Sequence, residues 1–399
     1  MSRSAVLAHT IDQALLAAVE SGDMPGVAVV VADREGVVYE GVAGLRNTDG
    51  GASMTADTVF LVASMTKLAT VVAALQLVAQ GRLDLDAPVA DLVPEFASLQ
   101  VLVSVENDTP VLRPPVSAAT VRQLLTHTSG LGYAAWHPTL QRYHELTGAR
   151  ELACGERAAF TEAPLVADPG VEFNYSSSID WVGLVIESVS GHRLEEYWGR
   201  HVFEPLGLAD TCVLLDDARR ARAAAVHVRS PDGAWTATDL DYYRPGSPPP
   251  EFFAGGHCLY STPHDYLRLQ RALLAGGTLE GAELLDGRLV PELFANHLGG
   301  IAIKPFPVGQ PFATAPVDLG KGVSWGLGQM VTTAGEPGMR ATGSGGWLGL
   351  FNTQYWIDPA AGITAGIYTS TLPFFEPRVI AAARRIEHAC YRALAGADR

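Results

Sequence analysis

Two serines stand in patterns that can make a hydroxyl nucleophilic. Gly322 to Gly326 reads GVSWG, the G-x-S-x-G spacing in which a sharp strand-to-helix turn lifts the serine, here Ser324, clear of a sheet. Ser64 to Lys67 reads SMTK, in which an amine three residues on can share the hydroxyl proton. One active site needs one of them, and the flanking residues separate the two.

After Ser324 the chain runs WGLGQMVTTAGEPG, glycine-rich, then strand-like, then a turn, with no helix to complete an elbow. Asp358 and His388 do follow in the order an elbow requires, so chain order alone does not exclude it. Glycines that let a strand pack closely explain the pattern equally well. The other serine has stronger local support. The chain holds three lysines and 20 serines, so about 0.15 Ser-x-x-Lys coincidences are expected by chance. Residues three apart share a helical face, which puts the Lys67 amine beside the Ser64 hydroxyl. The helix that follows is apolar, with Leu68, Val71, Val72, Leu75 and Val78 at helical spacing up to Gly81. Burial in such a helix lowers a lysine pKa toward a value useful for proton transfer. Tyr175, in FNYSSSID after the turn DPGVEF, offers a phenol as a further proton carrier. Taken alone, it reads equally as a packed aromatic with a hydrogen-bonded tip.

These groups need a scaffold, and 399 residues allow a large elaborated domain or two domains. With 48% hydrophobic and 18% charged residues the chain is a globular one. A formal charge of -15 with no basic cluster argues against a nucleic-acid partner. Cys154, Cys212, Cys258 and Cys390 are too scattered for a zinc or redox motif and read as buried free thiols. His127 and His257 lack metal-ligand spacing and read as structural or cleft-lining, so no metal and no cofactor is expected. The apolar run Leu68 to Ala79 is too short to span a bilayer, and Asp12 interrupts any secretory core near the N-terminus. The expected location is the cytoplasm.

An N-terminal helix ending near Gly22 precedes a hairpin, Val27 to Ala32 and Val37 to Val42. Helices are expected at Val121 to Leu125, Ile179 to Val189 and His264 to Leu274, with NDTPVLRPP and PGSPPP as loops. Strands return in GLGQMVTT, LFNTQYWID and GITAGIYTS before a final helix, Glu376 to Leu394. The expected architecture is one α/β (α+β) unit completed by both termini, residues 1–62 and 255–399, with a mostly helical subdomain at 63–254 and the cleft between them. Trp136, Trp235, Tyr242, Tyr243, Phe252 and Phe253 lie in loops where they could line a substrate pocket or simply pack.

SMTK, YSS and the late GSGGWLG, together with LLTHTSGLG, GGHCLYSTPHDY and YWIDPAAG, cover nearly the whole chain. In that combination the sequence resembles the serine β-lactamase-like hydrolases, in the branch of class C β-lactamases, family VIII carboxylesterases and related acyltransferases. The resemblance implies the β-lactamase/penicillin-binding-protein transpeptidase-like fold, an antiparallel sheet flanked by terminal helices. It implies Ser64 as acylated nucleophile, Lys67 as its base or relay, and Tyr175 as general base and acid. Two departures stand out. Ser177 occupies the third position of the Y-x-N motif, and neither Ser344-Gly345-Gly346 nor Trp347-Leu348-Gly349 supplies the lysine of K-T-G. Without that cation, neutral esters are favoured over lactams and D-amino peptides, whose carboxylate it would grip. Gly346 and Trp347 are expected at the oxyanion site, the Trp347 N–H acting with that of Ser64.

The resulting expectation is a carboxylesterase acting on small to medium esters through an acyl-enzyme on Ser64. Acyl transfer, β-lactamase or D-alanyl peptidase action, and a non-catalytic acyl-binding or sensor role on the same fold are the alternatives.

Overall fold

The run GVAVVVAD becomes the strand β1 (Gly26–Asp33), buried at every residue before Asp33. A computed structural model describes residues 3–230, 232–241 and 250–397 of the chain. Beside β1 lie β2 (Val37–Asn47), β3 (Ala52–Ser53), β4 (Val323–Trp325), β5 (Met330–Thr332), β6 (Gly345–Leu348), β7 (Gln354–Asp358) and β8 (Ile363–Tyr368). They form one antiparallel sheet in the order β4-β5-β6-β7-β8-β1-β2-β3. Strands from both ends of the sequence therefore meet at the β8–β1 pair, Val30 opposite Gly366.

Five helices frame the sheet: α1 (Arg3–Glu20), α2 (Thr66–Ala79), α3 (Ser178–Ser190), α4 (Pro263–Leu274) and α5 (Pro377–Ala397). Side chains alternate across a strand, and β1 uses both faces. Val27, Val29 and Val31 pack with Ile11, Leu15 and Ala18 of α1 and with Val379, Ala382 and Ile386 of α5. Ala28, Val30 and Ala32 join the larger core that contains α2, α3 and α4. Gln270 of α4 anchors that second layer, its amide donating to Ala365 O at 2.9 Å and to Thr364 Oγ1 at 2.8 Å. The fold is the β-lactamase/penicillin-binding-protein-like one, with helices on both faces of the sheet.

Two stretches differ from expectation. Residues 101–113, whose NDTPVLRPP end reads as loop, form a hairpin, Val101–Glu106 with Thr109–Arg113. Asn107 and Asp108 turn it at φ 48 and 61, the left-handed pair that short amide and carboxylate side chains tolerate. The other change is that the late strands are shorter than their β-rich text. Residues 326–329 form the turn into β5, and β7 starts only at Gln354 because Asn352, at φ 63, belongs to the turn from β6. Cys258 and Cys390 are buried free thiols and Cys212 is half-buried and free, while the Cys154 side chain lies outside the described residues. Tyr242, Tyr243 and residues 245–249 of the PGSPPP loop also lie outside them.

Candidate active site

Ser64 sits in a single 3-10 turn, Ala63–Met65, that feeds directly into α2. Val62 N–H donates to Leu259 O at 3.0 Å, and Ala63 then takes φ 45, an uncommon conformation for a residue with a side chain. This kink delivers Ser64 to the head of a helix that is buried nearly all round. One turn later, Lys67 is 1% exposed, and its Nζ donates to Ser64 Oγ at 3.1 Å and to Gly256 O at 2.8 Å. Burial pushes the Lys67 ammonium down to about 7, against the pull of the Asp180 carboxylate, which favours the charged form.

Tyr175 reaches the same place from a loop about a hundred residues downstream. Lys67 Nζ lies 4.8 Å from its ring centroid, and its hydroxyl accepts from the Trp347 indole N–H at 2.9 Å. Phe306 stacks on the ring at 6.0 Å and 1°, and Trp136 meets it edge-on at 5.2 Å. His127 holds the loop itself: its carbonyl accepts from Asn174 N–H at 2.9 Å and its Nδ1 from Ser176 N–H at 3.3 Å. Burial, aided by the charge of Lys67, holds the His127 imidazole well below its usual range, so it acts as a neutral brace.

Three further groups complete the cluster. Asp180, in the first turn of α3, has no side-chain exposure, and it accepts from Gly256 N–H at 2.9 Å and from the Tyr133 hydroxyl at 3.1 Å. Tyr133 in turn lies 3.5 Å from Lys67 Nζ, and His257 Nδ1 lies 3.3 Å from Asp180 Oδ1. Burial would raise the Asp180 carboxyl, but His257, Lys67 and the Gly256 N–H outweigh it and hold it below its ordinary value. Gly256 has to be glycine, since a Cβ there would stand 2.8 Å from Asp180 Oδ2. The sequence reading missed Asp180 and Tyr133. The acid at the head of the apolar run IDWVGLVI was the available signal, because an unpaired carboxylate in a buried helix is costly.

Ser64 opens on a cavity of about 220 Å³ whose walls include Leu131, Trp136, Leu140, Phe160 and Trp181. Ser177 and His257 line it too, as does Arg150, which is paired with Glu162 and Glu156. Of the loop aromatics, Trp136 faces this cavity. Phe252 packs on Phe160 in the core, and Trp235 donates to Gly22 O at 3.1 Å beside α1. Ser344, at the K-T-G position of one alignment, turns its hydroxyl onto Ala341 O at 2.6 Å. Among the described residues no cluster of three histidine, cysteine or carboxylate side chains could hold a metal.

The expected backbone donor is corrected by the sheet register. Gly349 N–H donates to Thr353 O at 2.7 Å, and the same register pairs Trp347 with Tyr355. Hydrogen-bonded pairs alternate along an antiparallel ladder, so the Trp347 N–H faces Tyr355 and not the cleft. Gly346, one residue earlier, faces Met330 of β5. Leu350, just beyond β6, is the residue of this stretch that lines the cavity with Ser64. Trp347 meets the site through its indole instead.

Ser324 is not an elbow serine. It lies on β4, which turns into β5 with no helix between, and its hydroxyl donates to Asn296 Oδ1 at 2.5 Å. Asp358 accepts from Ala341 N–H at 2.8 Å, Ala361 N–H at 2.9 Å and the Tyr391 hydroxyl at 2.8 Å. His388 is on α5, against Gly338.

An activated-serine constellation at the head of a buried helix, on this sheet-and-helix frame, defines a protein of the serine β-lactamase-like hydrolase class. The Beta-lactamase family model matches residues 11–389, and the chain belongs to that family. It is 31% identical over 360 residues to "Acyltransferase calJ" of Penicillium decumbens, covering 86% of this chain and 83% of that protein. It is 30% identical over 369 residues to "Lovastatin esterase" of Penicillium rubens, covering 87% of this chain and 89% of the relative. Among solved structures it resembles unliganded simvastatin synthase (LovD) from Aspergillus terreus with a TM-score of 0.81 and 28% identity, over 96% of this chain and 97% of that one.

Proposed function

We propose that the protein is a serine carboxylesterase for small to medium neutral esters, working through an acyl-enzyme on Ser64. The observation that carries this reading is the contact of Lys67 Nζ with Ser64 Oγ at 3.1 Å, made by an amine that burial brings to a pKa of about 7. At neutral pH such an amine both takes and gives a proton. Ser64 Oγ attacks the ester carbonyl, and its proton passes to Lys67 and Tyr175. The oxyanion rests on the N–H groups of Ser64 and Leu350, and the proton goes out with the alcohol. Water then attacks the acyl group and releases the acid. The apolar cavity, with Arg150 already paired and no lysine at the K-T-G position, supports a neutral substrate over one that carries a carboxylate.

Acyl transfer is the second reading, and the names of the relatives favour it as strongly as hydrolysis: one is called an acyltransferase and another an esterase. The two reactions share the acyl-enzyme and differ in whether water or an alcohol attacks it.

Ser64→Ala is expected to abolish turnover of a chromogenic short-chain ester, with Ser324→Ala close to the parent. Loss of activity in Ser324→Ala alone would return the nucleophile to the other serine. A fluorophosphonate probe that leaves Ser64 unmodified would support an acyl-binding or sensor role. Product analysis in the presence of a competing alcohol separates hydrolysis from transfer.

A further inference from the structure

An acyl group stays bonded to Ser64 Oγ through both half-reactions, whereas the alcohol departs and water or another alcohol takes its place. A walled space beside the nucleophile therefore suits the acyl half of an ester, and an open approach suits the alcohol. The cavity that Ser64 lines is walled. Small side chains leave it empty, since Ala135, Ala153, Ala159, Ala163 and Ala313 all face it. Its inner wall is firm: Ala159 and Phe160 open a short helix, Ala159–Glu162, and Phe160 meets Trp181 edge-on at 5.0 Å and Phe252 at 4.6 Å in the main core. A strap, residues 309–314, forms the outer wall and is tied down at both ends. Gly309 N–H donates to Ala135 O at 2.8 Å, and Trp136 Nε1 donates to Thr314 Oγ1 at 2.8 Å. Gly309 has no room for a Cβ against the Ala134 carbonyl, so the strap sits as close as a backbone can.

The polar side chains beside the strap are already matched. Gln310 Nε2 donates to Gln141 Oε1 at 2.7 Å, His144 Nδ1 donates to Ala149 O at 2.9 Å, and Arg150 is ion-paired. What they leave to a substrate chain is mostly apolar surface. We propose that this cavity is the acyl pocket, that it takes an aliphatic chain of medium length, up to about octanoyl, and that Ala159 sets the limit. This inference rests on the acyl-enzyme reading above. At about 30 Å³ for a group the size of a water molecule or a methylene, a cavity of about 220 Å³ holds about seven, the number of carbons an octanoyl chain carries beyond its carbonyl. Ala159 is 1% exposed, so a longer side chain there has the cavity as its outlet. Ala159→Leu adds three carbons, about 90 Å³, and leaves room for about four.

Ethyl hexanoate and hexyl acetate are isomers that carry the long chain on opposite sides of the ester oxygen. Each methylene buried in a fitting pocket is worth up to about fourfold, so kcat/KM of the parent enzyme is expected to be at least about thirtyfold higher for ethyl hexanoate. Equal values, or a preference for hexyl acetate, overturn the assignment of the cavity to the acyl half. Along a series of p-nitrophenyl esters, kcat/KM should climb from acetate to hexanoate or octanoate and drop about tenfold by dodecanoate. Ala159→Leu should lower the octanoate-to-butyrate ratio of kcat/KM about thirtyfold, and an unchanged ratio removes Ala159 as the limit. A ratio within one preparation does not move with the fraction of folded protein, and the isomer pair needs no variant. Intact-protein mass spectrometry of parent enzyme quenched in acid during turnover of p-nitrophenyl hexanoate keeps the two readings apart. A hexanoyl group on Ser64 together with equal isomer values sinks this inference alone, whereas turnover that never places a hexanoyl group on Ser64 overturns the acyl-enzyme reading, and this inference with it.

Discussion

The Trp347 indole N–H donates to the Tyr175 hydroxyl at 2.9 Å, joining a sheet strand to a loop 172 residues away in sequence. The bond aims the phenol oxygen, and Lys67 Nζ stands 4.8 Å from the same ring. The strand thus serves the site through an indole and not through the amide of the same residue.

Trp347→Phe keeps most of the packing and removes the donor. A neutral hydrogen bond contributes about 1 kcal/mol, so kcat for a p-nitrophenyl ester is expected to fall about five- to tenfold with little change in KM. An unchanged kcat would show that Tyr175 needs no such aiming.

Lys67 sets the pH dependence. Burial lowers its pKa to about 7, and the neutral amine, the form that accepts the serine proton, is lost as pH falls through that value. The acid limb of kcat/KM is therefore expected near pH 7. Asp180 favours the ammonium, so Asp180→Asn should move the limb to lower pH. A shift to higher pH would contradict the assignment of these two charges.

Charge selection follows from the cavity. A p-nitrophenyl monoester of succinic acid brings a carboxylate that the site must desolvate without an unpaired lysine or arginine to meet it. Its kcat/KM is expected about a hundredfold below that of the butyrate ester. Equal values in a side-by-side assay would remove the argument for neutral esters.

Gly256→Ala places a methyl group 2.8 Å from Asp180 Oδ2. Overpacking of this kind costs about 1–3 kcal/mol, so Tm should drop by a few degrees, and the shifted carboxylate should lower ester turnover more than tenfold. Calorimetry and a kinetic assay on the same sample check both.

Much of the frame was legible in the chain. The unbroken apolar run of GVAVVVAD and the helical spacing after Ser64 each reflect burial, and burial writes itself into local residue order. The hairpin at Asn107 and Asp108 was missed because its turn, two residues that accept positive φ, reads as loop together with the prolines that follow, although Val103, Ser104, Val105 and Glu106 alternate beside it.

By itself, the sequence determined the pair Ser64 and Lys67, because three residues of helix hold them at a spacing no distant contact can change. Only the tertiary structure decided that Asp180, Tyr133 and His257 join them, that Trp347 offers its indole while its N–H stays in the sheet, and that Ser324 lies apart on β4. Those relationships depend on strand register and on where separate loops cross, and such distances are set when the whole core packs.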